Sequence, residues 1–76
     1  MIVVRFYGKM RRIFGDEIKV KNIRNIGELL NFLEKKKEVE EIREYLIFSI
    51  NGKRASMKDE IRSGDEVAIF IPPTGG

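Results

Sequence analysis

Along the first seven residues apolar and polar positions alternate one by one. Ile2, Val4 and Phe6 fall on one side of an extended chain, and Val3, Arg5 and Tyr7 on the other, which is the period of a β-strand. Adjacent Val3 and Val4 make both sides partly apolar, so a central place in a sheet is expected. Gly8 ends the strand. Lys9 to Phe14 reads as a connecting segment whose Met10, Ile13 and Phe14 tuck under the sheet. Gly15-Asp16 then turns into a second strand of about Glu17 to Lys21, with Ile18 and Val20 on one face.

The period changes after Asn25. Ile26, Leu29, Leu30 and Leu33 follow the i, i+3, i+4, i+7 spacing of a one-sided helix, while Phe32 lies off that stripe and is placed over an edge of the core. Asn25 can cap the free amides, with Glu28 three positions on in a variant of the capping box. Lys35, Lys36 and Lys37 complement the negative pole at the other end. Between Glu38 and Tyr45, Val39 and Ile42 suggest one more helical turn. Leu46 to Ile50 reads as a buried strand, Asn51-Gly52 as a tight hairpin turn whose residues tolerate positive φ, and Lys53 to Ala55 as the return strand. Met57 and Ile61 fall in a loop closed by Ser63-Gly64-Asp65. Glu66 to Ile71 is the last strand, with Val67, Ile69 and Ile71 facing one way and Ala68 and Phe70 the other. A hairpin, a helical crossover and further strands predict an α+β fold: a mixed sheet of four to five strands with one main helix packed on it. That is the β-grasp, in which the first and last strands run parallel in the middle.

Composition narrows what such a domain can do. Seventy-six residues with no Cys and no His leave no thiolate nucleophile, no disulfide and no usual general base. A self-contained enzyme is not expected. The opening apolar stretch, Met1 to Val4, is too short for a signal sequence or a membrane span, so a cytoplasmic location without membrane attachment is expected. Charged residues make up 36% of the chain, a bias that resembles proteins of hot habitats. The net charge of +3 is uneven: residues 1–24 carry seven Lys/Arg against two acids, and residues 25–45 carry four against six. The cluster Lys9, Arg11 and Arg12 suits an acidic partner or a phosphate. It has no aromatic-rich RNA-binding motif beside it, so nucleic acid is not the expected partner.

The tail is the most specific feature. Gly64-Asp65-Glu66-Val67-Ala68-Ile69-Phe70, followed by Ile71-Pro72-Pro73-Thr74 and then Gly75-Gly76, resembles the small, sulfur-carrying subunit of molybdopterin synthase. The opening Val4-Arg5-Phe6-Tyr7-Gly8, with Arg11 and Phe14-Gly15, and the Ile50-Asn51-Gly52 turn resemble the same family, so the likeness covers essentially the whole chain. Carriers for thiamine thiazole and tRNA thiolation and small archaeal modifiers share the pattern. This chain departs from the commonest small-subunit ending in one respect: Ile71 stands between the aromatic residue and the two prolines.

The resemblance implies a β-grasp domain over residues 1–71 and an extended tail over residues 72–76. It implies that the Gly76 carboxylate is adenylated and becomes a thiocarboxylate. Coupling to AMP converts a poor acyl donor into a mixed anhydride, which a partner's persulfide or thiolate attacks. Gly75 and Gly76 lack a Cβ and can thread a narrow channel. Pro72 and Pro73 stiffen the stalk. Pro72 to Gly76 reach at most about 16–18 Å. The implied partners are an ATP-dependent adenylating enzyme of the ubiquitin-activating type (MoeB-like) and the synthase large subunit (MoaE-like). ATP, and any zinc, would belong to the activating enzyme, with no cofactor or metal held by this chain. Phe70 and Tyr7 would form an apolar docking patch on the uncovered sheet face, and Arg11 a charged anchor. Three other readings stay open: sulfur carriage for thiamine or tRNA thiolation rather than for molybdopterin, attachment of Gly76 to lysines as a protein modifier, and a β-grasp module that binds RNA through the basic lead.

Overall fold

The computed structural model describes residues 1–37 and 39–72, with the backbone alone at Glu40. Five strands and two α-helices follow in the order β1 (Ile2–Phe6), α1 (Lys9–Phe14), β2 (Glu17–Val20), α2 (Ile26–Lys36), β3 (Ile47–Ile50), β4 (Lys53–Ala55) and β5 (Glu66–Phe70). A 3-10 helix over Glu40–Tyr45 lies between α2 and β3. The strands form one sheet in the order β2-β1-β5-β3-β4. β1 and β5 run parallel at its centre, with Val4 opposite Val67 and Phe6 opposite Ile69, and the remaining pairs are antiparallel. This is the mixed β-grasp sheet expected from the pattern.

One face of the sheet and the apolar side of α2 make the core. Val4, Val67 and Ile69 are fully buried, as are Ile26, Leu29, Leu30 and Leu33 of α2, and Phe6 and Phe48 nearly so. The cap of α2 forms as anticipated: the Glu28 N–H donates to Asn25 Oδ1 at 2.8 Å, while Glu28 Oε1 accepts from the Arg24 N–H at 2.8 Å. Two further amides of that first turn are satisfied by the loop after β4. Ile26 N–H donates to Asp59 O at 3.2 Å and Gly27 N–H to Met57 O at 3.0 Å. Four orphan donors at a helix start need such partners.

The expected connecting segment Lys9–Phe14 is a helix instead. Met10, Ile13 and Phe14 share an i, i+3, i+4 face; Met10 is fully buried and Phe14 stacks on Phe6 with ring centroids 4.9 Å apart. Burial of that face holds a helix too short to stand alone in water. Strand ends also differ by one residue from expectation. β2 stops at Val20 rather than Lys21, β3 starts at Ile47 rather than Leu46, and β5 stops at Phe70 rather than Ile71. Val39 and Ile42 pack as expected of the turn before β3, the first buried and the second half-buried, but that turn is 3-10; Glu38 lies outside the described residues. Among the described residues no helix is long and apolar enough to cross a membrane, and no cluster of metal-ligating side chains occurs.

Candidate functional site

β5 enters and leaves the sheet in opposite ways. At its start the Asn51-Gly52 turn, with φ of 50 and 85°, brings the Asn51 side chain across to β5. Asn51 Oδ1 accepts from the Glu66 N–H at 2.9 Å, and Asn51 Nδ2 donates to Asp65 Oδ1 at 2.9 Å. The other oxygen of Asp65 accepts from the Arg62 N–H at 2.8 Å. These bonds, the Arg62 amide first and Asn51 second, hold the Asp65 carboxyl below the usual carboxylate range. The backbone repeats the tie, with Asn51 N–H donating to Glu66 O at 2.8 Å.

At its end both neighbours leave at the same level. The last rung to β1 is the Tyr7 N–H donating to Ile69 O at 3.1 Å. Gly8 then turns the chain into α1 at φ 59° and ψ −130°, a conformation open to glycine. On the other side the last pair is Ile47 with Phe70, while the preceding Leu46 N–H donates to Arg43 O at 3.3 Å. Past Phe70 no strand flanks the chain among the described residues. Ile71 stays half-buried against the core, which fixes the base of the tail. Pro72 has no N–H to offer a ladder. Pro73, Thr74, Gly75 and Gly76, where the chemistry is expected, lie outside the described residues.

The sheet face away from α2 carries the expected docking residues. The β1–β5 register places Tyr7 beside Phe70, and Phe70 faces Ile47 across the next pair. Tyr7 is 48% exposed, and Phe70, Ile47 and Ala68 are half-buried. The result is a small aromatic and aliphatic patch at the foot of the tail. Ile47 and Ala68 extend that patch beyond the expected residues. Ile47 shows in the sequence only as the out-of-phase neighbour of Phe48, and needs the strand pairing to place it next to Phe70. Below the patch, Arg5 bridges Glu66 at 3.2 Å and Glu17 at 3.8 Å; such exposed pairs contribute little to stability.

Arg11 sits apart from Phe70, on α1. It joins Tyr7 in lining one shallow depression and Lys9 and Arg12 in lining another. Its guanidinium is already paired with the Asp16 carboxylate. Lys9 and Arg12 leave the second depression net positive.

The ThiS family's sequence pattern matches residues 4–76. The chain belongs to the ThiS family. This places it in the ubiquitin-like MoaD/ThiS family. No curated protein matches the chain. Solved structures share its fold. SAMP1 from Haloferax volcanii superposes with a TM-score of 0.74 at 21% identity, covering 99% of this chain and 98% of that one. The complex of subunits 1 and 2 of the molybdopterin-converting factor from Helicobacter pylori 26695 gives 0.73 at 22% identity, with 99% and 97% covered. The BexX/CysO complex of Amycolatopsis orientalis gives 0.76 at 16% identity, with both chains fully covered (100%). Two of these folds are thus seen in complexes with a partner protein.

Proposed function

We propose that this ThiS-family chain is a sulfur carrier whose Gly76 carboxylate is adenylated and then converted to a thiocarboxylate, and that the sulfur is delivered to a pterin precursor on a molybdopterin synthase large subunit. The observation that supports this reading is the exit of β5, where both flanking strands end together and the chain runs on into the prolines and Gly75-Gly76. The chain thus leaves the sheet at a defined point, Phe70, four residues before the Thr74-Gly75-Gly76 motif begins.

The chemistry balances without a catalytic group on this chain. The Gly76 carboxylate attacks the α-phosphate of ATP on the activating enzyme, forming the acyl-adenylate and releasing pyrophosphate. A sulfide equivalent then adds to the acyl carbon and AMP leaves. If the donor is a protein persulfide, the first product is an acyl disulfide, and a second thiol on the partner cleaves it to the thiocarboxylate while the partner becomes a disulfide. In the acceptor reaction the thiocarboxylate sulfur attacks a side-chain carbon of the pterin precursor and displaces the oxygen substituent it carries; water then cleaves the acyl–sulfur bond, leaving the sulfur on the pterin and restoring the Gly76 carboxylate. The part of this chain is to bind its partners and present Gly76 to them. Tyr7, Phe70 and Arg11 are its proposed contacts with the partners.

Attachment to lysines is the second reading, supported by the likeness of fold to SAMP1. The thiocarboxylated chain, mixed with a molybdopterin synthase large subunit and the sulfur-free pterin precursor, distinguishes the two. Sulfur transfer with recovery of the plain carboxylate is the expected result. Lysine conjugates forming instead, with no sulfur reaching the pterin, would replace the first reading by the second.

A further inference from the structure

The β2 side of the sheet carries a surface that the tail chemistry does not use. β2 is an edge: the sheet order gives it β1 on one side and no described strand on the other. Phe6 N–H donates to Asp16 O at 3.0 Å, and the same register pairs Val4 with Ile18 and Ile2 with Val20. In an antiparallel pair, residues that exchange bonds with the partner alternate with residues whose backbone points away. Asp16, Ile18 and Val20 therefore face β1, and the amide and carbonyl groups of Glu17 and Lys19 face outward.

Beside that edge, between β2 and α2, lies a cleft of ≈ 400 Å³. Its floor is Phe14, Ile18 and Phe32, each half-buried and packed against the core from one side only. Its rim is Lys19, Lys36 and Lys37, and no carboxylate among the described residues lines it. Phe32 carries the Lys36 ammonium 5.0 Å above its ring, so the apolar floor and the cationic rim are one continuous surface. The carboxyl end of α2 contributes roughly half a negative charge there, which three ammonium groups outweigh.

We propose that β2 and this cleft bind an extended segment of a partner protein, added to the sheet as a further strand. Its side chains at alternate positions would be apolar and enter the cleft, and a run of Asp or Glu would follow at the end nearest Lys36 and Lys37. An unpaired edge supplies main-chain bonds, and a neighbouring cleft supplies side-chain selection. Charge sets the occupant. A second copy of this chain would bring Lys19 against its own counterpart, the arrangement by which edge lysines discourage self-pairing. An acidic segment meets the rim favourably. The proposal is independent of Gly76 chemistry, because the tail follows β5 and the described lining of the cleft comes from α1, β2, α2 and Lys37.

Titration of the isotope-labelled full-length protein with a nine-residue peptide tests it. The peptide carries Val, Ile and Val at alternate positions separated by Thr, and ends in three Asp. Saturable amide shifts at residues 17–20 and 32–37 are expected, with slowed exchange of the Glu17 and Lys19 amides. Lys19→Pro removes the outward N–H from an edge position that tolerates proline and should abolish binding, whereas Lys19→Ala should retain most of it. Joint Lys36→Glu and Lys37→Glu substitution should weaken binding by about tenfold or more, and an Asp-to-Lys peptide should fail. Unshifted spectra with the parent peptide would overturn the proposal, as would undiminished binding by Lys19→Pro protein with a native spectrum. Self-association that Lys19→Pro abolishes would assign the edge to a second copy and overturn it equally.

Discussion

The two ends of β5 show how one strand can be both anchor and launching point. At Asp65–Glu66 the strand is tied by side chain and main chain to the Asn51-Gly52 turn and to Arg62. At Phe70 its neighbours depart together, and only the Ile71 side chain keeps the following residue against the core. The first end is held by bonds from the Asn51 side chain and main chain and from the Arg62 amide. The second is free to present a tail because the partners run out. The proposed carrier role needs a fixed base for the tail at the last described residues, Ile71 and Pro72.

Substitutions can break that contrast in graded fashion. The largest effect belongs to the middle of the strand. Ile69 is fully buried, so Ile69→Ala should cost about 2–4 kcal/mol, read by denaturant unfolding, and should disable both ends together. Next is the tied end. Asn51→Ala removes both side-chain bonds to β5 and puts a less tolerant residue at φ 50°. A loss of about 1–3 kcal/mol is expected, with faster amide exchange at residues 64–66 and unaltered chemistry at Gly76 while the chain stays folded.

How much of this contrast was legible beforehand depends on how local each cause is. The capped helix α2 and the Asn51-Gly52 hairpin follow from neighbouring residues, and both were foreseen. The short helix α1 had the i, i+3, i+4 pattern of Met10, Ile13 and Phe14, but six residues form a helix only because the core buries that face. The end of β5 at Phe70 could not be read from its own residues, since Ile71 continues the alternation. It is set by Gly8 and by the start of β3, both distant in sequence. For the same reason Tyr7 and Phe70 were foreseen as patch residues, whereas Ile47 and the cleft under Phe32 needed the sheet order. The tail's diglycine was plain in sequence, and its role rests on family likeness rather than on folding.

A smaller effect separates the ends by pH. The Asp65 carboxyl is held below its usual range by the Arg62 amide and Asn51. A depressed pKa contributes stability that is complete above the unfolded value of about 3.9 and is lost as pH falls through the lower folded value. Asp65→Asn should therefore flatten the acid limb of the stability curve in that window and leave partner reactions at neutral pH unchanged. Smallest for stability, and informative for that reason, is the exit. Phe70→Ala loses a half-buried cross-strand contact with Ile47 and should cost under about 1 kcal/mol. If the patch docks partners, the same substitution should weaken binding to the activating enzyme by about tenfold; unchanged affinity in a calorimetric titration would remove Phe70 from the docking surface.

The account rests most directly on Gly76. Intact-mass measurement of the full chain, after incubation with a ubiquitin-activating-type enzyme, ATP and sulfide, tests it. A mass increase matching replacement of one oxygen by sulfur is predicted, located at Gly76 by peptide fragmentation and absent from a chain lacking Gly76 that unfolds at the same temperature. The same increase in the Gly76-deleted chain, or a chain that consumes ATP to AMP yet gains no sulfur at its end, would contradict it.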